Sequence, residues 1–245
     1  MAGSAANFLI DLADRLHRAD PGQDPDAGWR DSVGIAEALG LTGLNAGAVF
    51  SGSVDPLWVR FHVGQDWASD YAQPALRGAD PMWRWLPRGE PRLKVTAAGL
   101  AASSAGAPLA AAMRQRDYNH IEMFKSRRGA VTGVVIMGAR DPMESVMGPE
   151  RAALLPVVAA MMAGRIAPPA AGGGELGIRY GRLSGRERDV LGLLAQGMGN
   201  GRIAERLGLA EVTVRLHLKN ARDKMGAATR EQALALAMAR GQISL

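Results

Sequence analysis

The chain of 245 residues contains no cysteine. That excludes disulfides and thiolate-held metals, and it fits an intracellular setting. Its four histidines are scattered, so no metal cluster is expected and no cofactor is assigned. No apolar run reaches the roughly 18 residues that a membrane span needs, and no signal-peptide architecture opens the chain. A soluble, cytoplasmic protein without a membrane partner is expected. Signatures of catalysis are also lacking: no phosphate loop, no nucleophile elbow, no His-rich metal spacing. The sequence gives no reason to expect an enzyme. What is present is an ordinary hydrophobic fraction of 47%, in a chain long enough for one large or two modest domains.

Excess charge is confined to one end. Residues 1–180 carry 18 Lys/Arg and 18 Asp/Glu, whereas residues 181–245 carry 11 against 6. Localised basic charge is the footprint of phosphate contact, which works through counterion release. A solvated helix face has the same composition, so the pattern beside the charge must decide.

That pattern reads as a short helix, a tight turn and a basic second helix. Asn200 is placed to cap the first helix, Ile203, Ala204 and Leu207 form its apolar face, and Gly208 ends it. Glu211 opens the second helix, where Val214, Leu218, Ala221 and Met225 recur at the period of one buried face. Arg215, Lys219, Asn220, Arg222 and Lys224 are left outside that face. Ser184-Gly-Arg-Glu187 and Thr229-Arg-Glu-Gln232 read as capping boxes that open two flanking helices. Four helices with this turn make the helix-turn-helix pattern, whose second helix enters the major groove of double-stranded DNA.

The first 166 residues alternate between helical and strand patterns. Helices are expected at 4–18, 31–39, 66–75 and 149–166, with further helix across the Ala-rich stretch 93–113 on both sides of a break near Gly106. Strands are expected at 44–50, 57–63, 121–124 and 130–137. The fold class is α+β: an α/β/α sandwich around an antiparallel sheet, followed by the helical bundle. Ala167-Pro-Pro-Ala-Ala-Gly-Gly-Gly174 divides the two. The expected domains are a sensor and dimerisation domain over 1–166, a flexible linker over 167–180 and a DNA-binding domain over 181–245.

Leu183-Ser, Arg186-Glu187, Val190-Leu191, Gly197, Asn200, Ile203-Ala204, Leu207, Val212-Thr-Val-x-x-His217, Asn220 and Lys224-Met-Gly226 resemble the LuxR-type DNA-binding domain, with Arg202 where that family has Glu. The resemblance implies a transcriptional regulator. It makes Thr213, Arg215, His217, Lys219, Asn220, Arg222 and Lys224 the candidate DNA contacts, Arg215 and Lys219 toward base edges and Arg222 and Lys224 toward phosphates. His217 has packing against the first helix of the pair as its other reading. Trp67-x-x-x-Tyr71 followed by Asp80-Pro81 is similar to the acyl-homoserine-lactone-binding domain of quorum-sensing receptors. In that family the Trp donates to the lactone carbonyl, the Asp accepts from the amide N–H and the Tyr helps hold the amide carbonyl. Trp83 and Trp85 are candidates for a further aromatic wall. Two aromatics at i, i+4 also serve as ordinary core packing, and Asp before Pro as an ordinary turn.

Leu154, Leu155, Val158, Met161 and Met162 form an apolar stripe that fits either burial within the domain or a homodimer seam. An orphan regulator whose first domain only dimerises is the alternative reading. A phosphorylation-controlled response regulator would need paired acids at the end of the first strand, and Leu44–Phe50 offers none.

Overall fold

Runs of β-branched and aromatic residues between glycine and proline turns make the strands of the first half. The structure, a computed structural model, describes residues 5–17, 24, 26–64 and 66–244, and the chain splits into two units, Met1–Ala167 and Pro168–Leu245.

In the first unit β1 (Gly43–Phe50) lies between β2 (Pro56–Val63) and β5 (Val131–Ala139). Beyond β5 come β4 (His120–Arg128) and, at the far edge, β3 (Arg92–Thr96); every neighbouring pair is antiparallel. Helices α1 (Ala5–His17), α2 (Ala27–Ala38) and α10 (Leu155–Arg165) pack together, with α2 against β1 and α10 against β4 and β5. The short helices α3 (Trp67–Tyr71), α4 (Pro74–Ala79), α5 (Met82–Trp85), α6 (Ala97–Ala101) and α7 (Ala107–Arg114) form the other layer, α3 against β2 and α6 against β3. Two more, α8 (Met143–Met147) and α9 (Pro149–Ala152), precede α10. The architecture is an α/β/α sandwich around an antiparallel sheet.

Several expected elements are different. Arg92–Thr96 is an edge strand, not the start of a helix, because pairing with β4 from Arg92↔Phe124 to Thr96↔His120 outweighs the Ala-rich sequence that follows. Thr96 then caps α6 by accepting from the Gly99 N–H at 3.0 Å. The helix expected over 66–75 is two helices, since Pro74 opens α4 as its first residue. The helix expected over 149–166 likewise breaks at residues 153–154, leaving Pro156 in the first turn of α10, where its missing N–H costs nothing. Helix α2 begins at Ala27, ahead of the expected start at residue 31; the ends of the helix expected over 4–18 lie outside the described residues. Leu12 and Leu16 of α1 are buried, whereas Ala13 is exposed. The stripe on α10 is used within its own unit: Leu155, Val158 and Met162 are fully buried. A dimer seam built on those three side chains is thereby corrected, because they are no longer available.

In the second unit the segment expected as linker carries a ribbon, β6 (Gly172–Gly173) with β7 (Arg179–Tyr180). The Tyr180 hydroxyl donates to the Pro169 carbonyl at 2.8 Å, and its ring lies under the Arg240 guanidinium at 4.1 Å. The Gln242 side chain accepts from the Leu183 N–H at 2.7 Å and donates to the Gly181 carbonyl at 3.2 Å. Four helices follow: α11 (Gly185–Ala195), α12 (Asn200–Leu207), α13 (Glu211–Met225) and α14 (Arg230–Ala239). Helix α13 packs against the other three. No helix among the described residues is long and apolar enough to cross a membrane.

Candidate functional site

Gly208 ends α12 in the left-handed region at φ 64°, which only glycine adopts without strain, and the chain re-enters helix at Glu211. Gly199, not Asn200, occupies the cap of α12; Asn200 is its first residue, and its Oδ1 accepts from Arg230 Nη1 at 3.3 Å. Val214, Leu218, Ala221 and Met225 are buried, as their period requires. That burial turns Arg215 and Lys219 outward. Arg215 donates to Glu211 at 3.2 Å and Lys219 to Asp223 at 2.7 Å, each one turn away, with all four side chains more than half exposed. Exposed pairs of this kind contribute only ~0.3–0.5 kcal/mol, so either cation can leave its partner at little cost.

Thr213, His217, Asn220 and Arg222 lie half-buried along the flanks of α13. Lys224 is placed differently. Its ammonium donates to both Glu187 oxygens, at 2.9 and 2.7 Å, and Glu187 is buried. Burial pushes that carboxyl up, but Lys224 and the Ser184 N–H overcome it and hold Glu187 below the usual range. Lys224 therefore serves an ion pair within the bundle, with its side chain 37% exposed. The Ser184–Glu187 capping box is complete, with both reciprocal bonds present. The second box is half made: Thr229 accepts from Gln232 N–H at 3.1 Å, while Gln232 Oε1 turns to the Ala228 N–H. Val212 and Leu216, 64% and 54% exposed on the outer face of α13, were not among the candidates. Their position off the buried stripe was the available signal.

In the first unit Trp67, Tyr71, Asp80 and Trp85 are all buried. The Trp67 and Tyr71 rings stack at 5.6 Å, the consequence of sitting one helical turn apart on α3. The Tyr71 hydroxyl donates to Asp80 Oδ2 at 2.6 Å, and the Met82 N–H donates to Oδ1 at 2.8 Å. Burial raises the Asp80 carboxyl against those two bonds. The Tyr71 phenol is raised well above its ordinary value, by burial first and by Asp80 next. Trp83 is half-buried beneath the Arg77 guanidinium at 4.7 Å. Lys125 lies 4.5 Å from the Trp85 ring centroid and donates to the carbonyls of Trp85 and Leu86 at 3.0 and 3.1 Å, fixing the end of α5. The indole N–H groups of Trp67 and Trp85 are shielded from solvent and have no hydrogen-bond partner among the described residues.

Two residues missed in the sequence complete this face. Tyr118, 1% exposed, meets Trp67 edge-on at 5.6 Å and 66°. Its hydroxyl accepts from Asn45 Nδ2 at 3.2 Å, and Asn45 is itself buried on β1. Neither has a local pattern that would mark it. Among the described residues no group of three or more His, Asp or Glu is arranged to hold a metal ion.

A profile described as "Bacterial regulatory proteins, luxR family" matches residues 182–237. The probable transcriptional regulatory protein SgaR of Hyphomicrobium methylovorum is 48% identical over 54 residues, 22% of this chain and 26% of SgaR. The chain thus spans about a quarter of that relative's length. The spore germination protein GerE of Bacillus subtilis (strain 168) is 40% identical over 63 residues, 26% of this chain and 85% of GerE. Among solved structures, SdiA of Escherichia coli aligns over 98% of both chains with a TM-score of 0.50 at 20% identity. SdiA in complex with octanoyl-rac-glycerol aligns with a TM-score of 0.52 at 16% identity, over 98% of this chain and 97% of that one. The likeness to SdiA is one of fold.

Proposed function

Since this chain belongs to the luxR family of bacterial regulatory proteins, we propose that it is a cytoplasmic transcriptional regulator that binds double-stranded DNA through α13 as a homodimer. A small amphiphile held in the first unit, an acyl-homoserine lactone or a molecule of like chemistry, modulates that binding. One observation carries the DNA reading: α13 buries Val214, Leu218, Ala221 and Met225 and turns outward a face bearing Val212, Arg215, Leu216 and Lys219. Arg215 and Lys219 reach base edges, Val212 and Leu216 meet thymine methyl groups, and Thr213, Asn220 and Arg222 line the sugar-phosphate flank. His217 is a further contact from the same helix. Lys219→Ala weakens operator binding about tenfold in an anisotropy titration, on the order of 1–3 kcal/mol. Unchanged affinity for both Lys219→Ala and Arg215→Ala removes α13 as the reading helix.

The ligand reading is supported by Trp67, whose buried indole N–H lacks an acceptor beside the Asp80–Tyr71 pair. A buried donor without a partner is costly, and an incoming carbonyl removes the cost. The alternative, a first unit that only dimerises, is favoured by Asp80, both of whose oxygens already have donors.

A further inference from the structure

The sheet face under Trp67 has been shaped for one ring. Gly43 and Gly138 pair across β1 and β5, and each is bare where Tyr118 lies. A Cβ on Gly138 would stand 1.9 Å from Tyr118 Cε2, and one on Gly43 2.6 Å from the same atom. Two residues along β1, on the same face by strand alternation, Asn45 supplies the Nδ2–H that the Tyr118 hydroxyl accepts. Asn45 Oδ1 accepts from the His62 N–H at 3.3 Å, so the amide is fixed at both ends. Ring and hydroxyl are therefore held in place from below. Burial raises the Tyr118 phenol far above its ordinary value, so it keeps its proton.

Hydrogen-bond accounting around this ring is unbalanced. The Trp67 indole N–H has no acceptor. The Tyr118 hydroxyl receives a bond from Asn45, leaving its own proton to give. Asp80, the nearby carboxylate, has both oxygens engaged by Tyr71 and Met82. The face therefore offers two donors, the Trp67 indole N–H, which has no acceptor among the described residues, and the Tyr118 hydroxyl.

We propose that Tyr118, anchored by Asn45 on the Gly43–Gly138 shelf, is a specificity-determining residue of the ligand site, where its hydroxyl donates to a second acceptor oxygen of a ligand whose first acceptor takes the Trp67 indole N–H. The inference rests on the ligand reading above and narrows it to a neutral amphiphile with at least two acceptor oxygens, such as a carbonyl in the head and a keto oxygen along the chain.

The test is a matched pair of probes, N-octanoyl- and N-(3-oxooctanoyl)-homoserine lactone, titrated into the full chain and read by thermal stabilisation. The wild-type protein binds the oxo probe about tenfold more tightly, the worth of one neutral hydrogen bond to an otherwise unpaired buried donor. Tyr118→Phe keeps the ring on its shelf and brings the two probes within about twofold of each other. Comparing the probes within each variant cancels any change in folding stability. A wild-type protein that responds to either probe without preferring the oxo form overturns the role of Tyr118 and leaves the ligand reading standing, as does a Phe variant that keeps the preference. If neither lactone nor octanoylglycerol stabilises the wild type, the ligand reading falls and this inference with it.

Discussion

Two of the three buried carboxylates among the described residues, Glu187 in the second unit and Asp80 in the first, are treated in opposite ways; the third, Glu122 on β4, is met by Arg92 and Lys94. Glu187 in the second unit is met by the Lys224 ammonium and the Ser184 N–H, and these hold its carboxyl below the usual range despite burial. Asp80 in the first unit accepts from Tyr71 and Met82 but has no cation in its salt-bridge shell, and burial raises it. The first arrangement closes a charge balance inside a structural bundle. The second keeps a desolvated carboxylate among aromatic rings with a phenol and a backbone N–H as its donors. Burial alone does not separate the two roles; the partner does.

The sharpest way to break the comparison is Glu187→Ala. It removes the reciprocal cap of α11 and leaves the partly exposed Lys224 without its acceptor, so the second unit loses about 2 kcal/mol in denaturant unfolding. A loss below about 0.5 kcal/mol would place Glu187 with ordinary surface pairs. Asp80→Asn has a smaller effect on folding, about 1 kcal/mol, since the amide oxygen can still accept from one of the two donors. Its larger consequence is functional: stabilisation by lactone disappears while operator affinity without ligand is retained.

The smallest effect is the pH dependence, and its sign differs between the units. Glu187 titrates below its ordinary 4.5 in the folded chain, so its stabilisation is complete above that value and is lost as pH falls through the folded pKa. Asp80 is raised above 3.8, so its charged form is penalised and stability falls as pH rises from 3.8 through the folded pKa. Acid titration of Glu187→Gln is therefore flatter than wild type near pH 4, whereas Asp80→Asn flattens the profile on the side above pH 3.8. Profiles of both variants that overlay the wild type would place both carboxylates in ordinary solvent.

Helix α13 was legible because its information is local. Four apolar residues at helical spacing, a left-handed Gly208 and an acidic first turn all act within a few residues of themselves. The Ser184–Glu187 box was legible for the same reason. Strand β3 was not: Leu93 and Val95 alternate over too short a stretch, and only β4 supplies the pairing that makes them a strand. The stripe of α10 was seen, but whether it faces its own sheet or a second copy depends on β4 and β5. The ribbon at 172–180 was hidden because glycines carry no side-chain pattern, and Tyr180 and Arg240 are far apart in sequence.

The ligand face divides in the same manner. Trp67, Tyr71 and Asp80 lie within fourteen residues, so one short stretch carries the resemblance to a lactone-binding domain. Tyr118 and Asn45 are 73 positions apart and meet only because β1 and β5 align Gly43 with Gly138. Lys224 looked like its neighbours on a basic helix until Glu187, 37 positions away, claimed it. By itself the sequence determined the four helices of the second unit, where the turn of the helix-turn-helix falls and which end of the chain is basic, because backbone propensity, capping and charge act over a turn or two. Which polar groups are spent inside and which are left to meet a partner was decided by tertiary structure alone, since a hydrogen bond or ion pair is fixed by distance in space and not by distance along the chain.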